Sequence, residues 1–189
     1  MSDTKEVVIR AENVRTYFPV RDTLGRVVNQ VKAVDGISME VHKGEIYGLV
    51  GESGCGKSTF GRTLIRLLEP TDGKLELLGQ DVNHTSMKAL RPFRSKVQMI
   101  FQDPYTSLNP RKRVGEILME VLQIHGEKDR DKCMSIAMET LHKVGLRPEH
   151  FYRYPHEFSG GQRQRVGIAR ALILQPELIV CDEPVSALD

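Results

Sequence analysis

The chain has 189 residues, 21.4 kDa, with 40% hydrophobic and 28% charged residues, which suits one globular domain or one domain with an inserted subdomain. Lysine and arginine number 27 against 25 acidic residues, a net charge of +2, so no electrostatic bias points toward nucleic acid. Apolar runs stop at about ten residues where a spanning helix needs ~18; the polar start Met1–Glu6 has no secretory core; and three scattered cysteines (Cys55, Cys133, Cys181) form neither a disulfide framework nor a zinc pattern and suit a reducing cytoplasm.

In chain order, residues 6–18 read as an opening strand, 19–30 as a loop or loose hairpin around Pro19, Asp22, Gly25 and Asn29, and 31–41 as a second strand by alternation. Lys43-Gly44 is a turn. Glu45–Val50, with Ile46, Leu49 and Val50 between Gly44 and Gly51, reads as a buried strand of a parallel sheet. Phe60, Leu64, Leu67 and Leu68 define one face of a helix over 57–68, stopped at Pro70–Gly73. Strands are predicted at 74–78 and 96–101, with a short helix at Asn83–Phe93 between them. Three helices follow. One carries Val114, Ile117, Leu118, Val121 and Leu122. The next carries Met134, Ala137, Met138, Leu141 and Val144, stopped by Gly145. The third runs from Gly160 to Leu174 with Val166, Ala169 and Ile173 on one face. Leu178–Cys181 closes as a buried strand. Strands, a helical block and a return to strand describe an α/β core with a helical insertion.

Gly51-Glu52-Ser53-Gly54-Cys55-Gly56-Lys57-Ser58 fits G-x-x-x-x-G-K-[ST] between a predicted strand and a predicted helix, the context a phosphate loop requires. Glycines let successive N–H groups turn inward on phosphate oxygens, and the helix N-terminus adds its positive dipole end. Lys57 is expected to reach the β- and γ-phosphates of ATP and Ser58 to offer its hydroxyl to Mg²⁺. Cys55 within this loop is expected to be sensitive to alkylation. The second half of such a site is a strand ending in acids: Asp182 would support Mg²⁺, and Glu183, one residue on, would polarise the attacking water as general base. By themselves two acids after a strand mark only the start of a loop; the phosphate loop is what gives them a role.

Phe158-Ser159-Gly160-Gly161-Gln162-Arg163-Gln164-Arg165 narrows the class. The chain resembles the nucleotide-binding subunit of an ATP-binding cassette (ABC) transporter, whose signature is Ser-Gly-Gly-Gln. The resemblance implies a P-loop NTPase, RecA-like α/β core over 1–102 with an N-terminal β subdomain, a helical signature subdomain over 103–165 and a return to the core over 166–189. It implies that Ser159, Gly160, Gly161 and Gln162 close on the γ-phosphate of ATP held by a partner cassette, with donors from Ser159 and Gly161. It makes Gln102 the glutamine that senses Mg²⁺ and the attacking water, and Ser186–Asp189 the loop that crosses the dimer. Adenine would stack on an aromatic ahead of the phosphate loop: Phe18 by spacing, with Tyr17 the alternative. The segments Val50–Thr59, Phe101–Pro110, Tyr154–Gly161 and Tyr17–Val20 resemble the oligopeptide and dipeptide importer ATPases, which share them with nickel and other solute importers.

The implied function is ATP hydrolysis that energises a membrane permease importing peptides. The subunit would sit on the cytoplasmic face of the membrane with permease subunits, a second cassette (identical or paralogous) and, indirectly, an extracytoplasmic solute-binding protein; no nucleic acid is expected. The sequence departs from the family in stopping at Asp189, before a further strand between the phosphate-loop strand and the Asp182 strand, and before the switch histidine. The expectation is therefore a C-terminally incomplete cassette with unpaired backbone in its sheet, which alone binds nucleotide weakly and hydrolyses it poorly. A soluble cassette ATPase acting on DNA or ribosomes and a non-catalytic nucleotide-binding fragment are the rival readings. The six histidines read as surface or packing residues, and Arg163 and Arg165 as solvated, with service at the dimer interface the alternative.

Overall fold

A computed structural model describes residues 6–102 and 108–183. The chain divides into two compact units, Met1–Arg91 and Pro92–Asp189.

The first unit is built on a long antiparallel hairpin. Strand β1 (Val7–Arg21) pairs with β2 (Val27–His42), and β3 (Asp72–Leu77) and β4 (Gln80–Asp81) complete a sheet of order β2-β1-β3-β4. The stretch expected as a loop at 19–30 is mostly strand. The turn shrinks to Asp22–Arg26 because the Asp22 carboxylate accepts from the N–H groups of Leu24 and Arg26, and Gly25 takes φ +79°. Helix α1 (Lys57–Leu64) buries Phe60 and Leu64 and is tied to β1 by the buried Thr16–Thr63 hydroxyl pair at 2.9 Å.

Helix α1 stops earlier than its apolar spacing predicts. Arg66 turns left-handed at φ +55° and its buried guanidinium donates to the carbonyls of Val82 and Thr85 at 2.7 and 3.2 Å. Ile65 is buried in consequence, and Leu67 is exposed. The helix expected at Asn83–Phe93 is likewise a series of turns; a single helical turn, α2 (Phe93–Lys96), begins only after Pro92, whose fixed φ of −60° suits a helix entry.

The largest departure is at Glu45–Val50. This run is not a strand, and Ile46 and Val50 are 99% and 93% exposed. A parallel inner strand persists through ladder hydrogen bonds on its two sides. Among the described residues no strand pairs with 45–50, so the apolar side chains have no sheet to bury them.

In the second unit, β5 (Val97–Ile100) and β6 (Leu178–Cys181) form a parallel pair in continuous register. The predicted strand at 178–181 is present but half-buried rather than buried, with Cys181 exposed, since β6 is paired on one side only among the described residues. Helices α3 (Val114–Ile124), α4 (Arg130–Lys143) and α5 (Gly160–Leu172) pack around Leu118, Cys133, Ala137, Leu141, Val166 and Ala169, as their periodicity predicts. Two 3₁₀ turns, Pro148–Tyr152 and Pro155–Glu157, lead into α5.

The end of α4 is a Schellman closure. Gly145, at φ +74°, donates to the carbonyl of His142, and Leu146 donates to that of Leu141. A side chain at position 145 meets both a forbidden φ and the Arg165 guanidinium, whose Nη1 lies 2.6 Å from the Cβ position. Gly145→Ala is expected to destabilise the protein by about 1–3 kcal/mol, read as a lower thermal midpoint by circular dichroism.

Candidate nucleotide site

The phosphate loop lies in the first unit. Gly54 and Gly56 adopt φ +79° and +98°, and Cys55 N–H donates to the Glu52 carbonyl at 3.3 Å, which curls the loop over 51–56. Gly56 is the N-cap of α1, and a Cβ there lies 2.1 Å from the carbonyl oxygen of Ala33 on β2. The loop is thus pressed against the hairpin at a point where only glycine fits. At the other end, a Cβ on Gly51 lies 2.8 Å from the Cys55 thiol. Lys57 Nζ donates to the carbonyls of Gly51 and Glu52 at 2.9 and 2.7 Å, folding the ammonium back over the loop. Ser53 is exposed, and Ser58 and Thr59 stand half-buried in the first turn of α1.

The two candidate base-stacking rings have different surroundings. The Tyr17 hydroxyl donates to Asp35, a bond that raises the tyrosine's proton affinity and lowers that of the carboxylate, and the Lys32 ammonium lies 5.4 Å from the Tyr17 ring centre. Asp35 also receives Lys32 at 3.3 Å and faces Arg15 at 3.6 Å. Phe18, next along β1 and paired with Val31, is 40% exposed.

In the second unit the β5–β6 register brings Gln102 and Glu183 together. Asp182 N–H donates to the Ile100 carbonyl at 2.9 Å, continuing the ladder by one bond, and Gln102 Nε2 donates to Glu183 Oε2 at 2.7 Å. Asp182 is buried, whereas Glu183 is exposed and sits at φ +46°. The neighbouring Cys181 is exposed as a residue, but partial desolvation of its thiol raises the thiol's proton affinity.

Ser159 caps α5. Its hydroxyl accepts from Gln162 N–H at 3.3 Å, while Gln162 Oε1 accepts from Ser159 N–H at 3.1 Å. This reciprocal box satisfies two of the four donors a helix start leaves over. The other two are the N–H groups of Gly160 and Gly161, and around the Cβ position of Gly160 nothing lies within 4 Å. In the sequence, the S-x-x-Q spacing of Ser159 and Gln162 is the signal for this box. Arg163 and Arg165, expected to be solvated, are held by carbonyls: Arg163 by Pro155 at 3.3 Å, and Arg165 by Val144 and Gly145 at 3.4 and 3.5 Å. Position and helix-end chemistry explain Arg165, a cation at the carbonyl end of α4. The dimer-crossing loop expected at Ser186–Asp189 lies outside the described residues, as do residues 103–107. No group of three or more His, Cys, Asp or Glu side chains suited to a metal occurs among the described residues.

Residues 34–186 match the family model described as ABC transporter. The oligopeptide transport ATP-binding protein AppF of Bacillus subtilis (strain 168) is 53% identical over 187 residues, 98% of this chain and 57% of its own length. OppF of the same strain, also an oligopeptide transport ATP-binding protein, is 58% identical over 161 residues, 84% of this chain and 53% of its own. The chain therefore spans about half the length of the curated relatives it matches. Among solved structures, the ATP-binding cassette MJ0796, a post-hydrolysis dimer bound to ADP and Pi, superposes with a TM-score of 0.86 at 27% identity over 96% of this chain and 76% of that one.

Gly56→Ala is expected to force the loop off Ala33 and out of its left-handed conformation, lowering nucleotide affinity by about tenfold or more, as a strain of about 1–3 kcal/mol implies. Titration with a fluorescent ATP analogue measures it; an unchanged affinity contradicts the packing argument.

Proposed function

The chain belongs to the ABC transporter family, and from that premise we propose that it is the ATP-binding and ATP-hydrolysing part of a subunit that energises a membrane permease importing oligopeptides or dipeptides. The observation that carries the hydrolytic reading is the Gln102–Glu183 pair, 2.7 Å apart beside the buried Asp182, at the carboxyl ends of two parallel strands where α/β proteins place their ligands. The peptide reading is supported by the oligopeptide transport proteins that match most of the chain.

In this reading Gly51–Thr59 wraps the phosphates. Backbone N–H groups take the oxygens, and Lys57 exchanges its two loop carbonyls for β- and γ-phosphate oxygens. Phe18 takes the adenine ring; its exposure supports it over Tyr17, whose hydroxyl and ring face are engaged by Asp35 and Lys32. Glu183 accepts the proton of the water that attacks the γ-phosphorus in line, and the bond to the ADP oxygen breaks on the opposite side. Gln102 fixes the Glu183 carboxylate through Nε2, which turns its Oε1 away from that carboxylate. Ser58 in the first unit and Asp182 and Gln102 in the second each offer an oxygen, the donor type a hard cation such as Mg²⁺ takes, and these are the residues that would hold it. Held by them, Mg²⁺ would supply neutralisation of phosphate charge.

The partners in this reading are permease subunits, a second cassette, and indirectly a solute-binding protein outside the membrane. Ser159–Gln162 grips the γ-phosphate held by the second cassette, offering the Ser159 hydroxyl and the glycine N–H groups. No helix of the described residues is long and apolar enough to cross a membrane, in keeping with a peripheral subunit at the cytoplasmic face. A second reading, nucleotide binding without turnover by residues 1–189, is favoured by Glu45–Val50, which leads into the phosphate loop without a sheet partner among the described residues.

Steady-state ATPase assays on the protein as its source cells make it, beside the same assays on residues 1–189, separate the two. Glu183→Gln is expected to keep ATP affinity and lower kcat by about 100-fold or more; normal turnover in this variant removes Glu183 as the base. Phe18→Ala is expected to weaken ATP binding about tenfold, in the range of a lost base stack, with Tyr17→Phe leaving affinity near its original value. The reverse order of the two effects assigns the adenine to Tyr17.

A further inference from the structure

His150 is buried, 7% exposed, in the 3₁₀ turn Pro148–Tyr152, and nothing in ATP chemistry uses it. Its Nδ1 accepts a hydrogen bond from the Arg147 backbone N–H at 3.0 Å. Its ring lies 5.2 Å from the ring of Phe158, tilted by 58°. Phe158 is itself buried in the core of the helical unit and directly precedes Ser159, the cap of α5. The imidazole therefore stands behind the turn that presents Ser159, Gly160 and Gly161.

Only the neutral ring fits this place. Nδ1 must carry a lone pair to accept from Arg147 N–H; a proton there sets a donor against a donor and puts a charge among apolar neighbours. The charged groups acting on the ring are Arg147 and Arg153, which oppose protonation, and Glu149, which favours it; all belong to its own segment, and no charged group of α3, α4 or α5 acts on it among the described residues. Burial, the largest influence, and the two arginines hold the imidazole neutral below the ordinary histidine range.

We propose that His150 is a positioning residue for the Ser159–Gln162 turn: its neutral imidazole, bonded to Arg147 N–H and packed on Phe158, fixes the start of α5, and its protonation releases that turn and weakens ATP-driven association of two cassettes. The association half rests on the reading that this turn grips ATP held by a partner; the local half does not. The sign follows from linkage. The folded-state proton affinity is depressed, so the contribution is fully present above the unfolded-state value of about 6.5 and is lost as pH falls below it toward the folded-state value.

Two measurements at about pH 7.5 and about pH 5.5 test it, on the protein as its source cells make it. The first is hydrogen exchange at Ser159 and Gln162, the two amides bonded in the capping box, without nucleotide and corrected for intrinsic rates. The second is sedimentation of the ATP-bound dimer in a Glu183→Gln background. The parent is expected to lose protection at Ser159 and Gln162 and about tenfold in dimer affinity on acidification. His150→Asn, which keeps an acceptor at the Nδ1 position, and His150→Phe, which keeps the packing on Phe158, cannot take up the proton; whichever folds is expected to abolish the pH dependence of both. Exchange that is independent of pH in the parent, or equally pH-dependent in the variants, overturns the proposal. Acid-dependent exchange with no ATP-driven dimer at either pH supports His150's positioning role and rejects the reading of the turn as the partner's phosphate grip.

Discussion

The chemistry of the second unit depends on the register of two short parallel strands. Val97 pairs with Leu178 and Ile100 with Cys181, without a bulge. Because side chains alternate across a pleated strand, a slip of one residue sends every later side chain to the other face. The register is held at its start by the Glu177 N–H to Lys96 carbonyl bond at 2.7 Å with the Lys96–Glu177 ion pair, and at its end by the Asp182 N–H to Ile100 carbonyl bond. Gln102 and Glu183, distant in sequence, meet because both chains leave the ladder at the same level. The left-handed backbone at Glu183 belongs to this exit. A non-glycine residue in that region is uncommon and persists where its surroundings fix it. Here the fixed groups are the ladder on one side and the Gln102 amide on the other.

The two glycine-rich helix starts use one physical device in different ways. In each, a helix start leaves backbone donors over, and the sequence decides which of them are already occupied. At α5 the capping box takes the N–H groups of Ser159 and Gln162 and leaves those of the two glycines between them, with nothing within 4 Å of the Cβ position of Gly160. At α1 no side chain caps the helix, and curvature comes from left-handed glycines pressed against Ala33. The first arrangement selects donors by hydrogen bonding and the second by close approach of backbone.

Much of this was legible because it is local. The phosphate loop, the Ser159 cap, the α3 and α4 faces and the Gly145 stop each follow from residues within a few positions of one another. What failed was set mostly by distant partners, with one local exception at Asp22. Leu67 and Leu68 continue a helical stripe, yet the helix ends at Leu64 because Arg66 is drawn to carbonyls at 82 and 85. Residues 19–30 carry loop composition, yet one carboxylate, Asp22, closes so tight a turn that the strands run nearly to it. Glu45–Val50 has the composition of an inner strand and no ladder among the described residues to make it one. Composition states what a segment can pair with; it does not supply the partner. The Gln102–Glu183 contact was likewise beyond local pattern, although each residue was placed in the site separately.

Tyr17 and Phe18 show how adjacent residues of one type divide between structure and chemistry. Alternation along β1 turns them to opposite faces. Tyr17 joins Asp35, Lys32 and Arg15 in a charged cluster that spans β1 and β2, and Arg15 extends it to Asp72 on β3 at 2.8 Å. Exposed ion pairs of this kind contribute little each, about 0–1 kcal/mol. Their effect here is geometric: they tie β1, β2 and β3 together at the level where Ala33 meets Gly56. The phosphate loop and the Phe18 ring are therefore held against the same stretch of hairpin, one by close backbone contact and the other by pairing with Val31. A base and a triphosphate joined by a ribose are of fixed length, and a rigid ruler between their two contacts is what such a ligand requires. The hydroxyl that distinguishes Tyr17 from Phe18 thus decides which ring is tied into the charged cluster and which stays exposed.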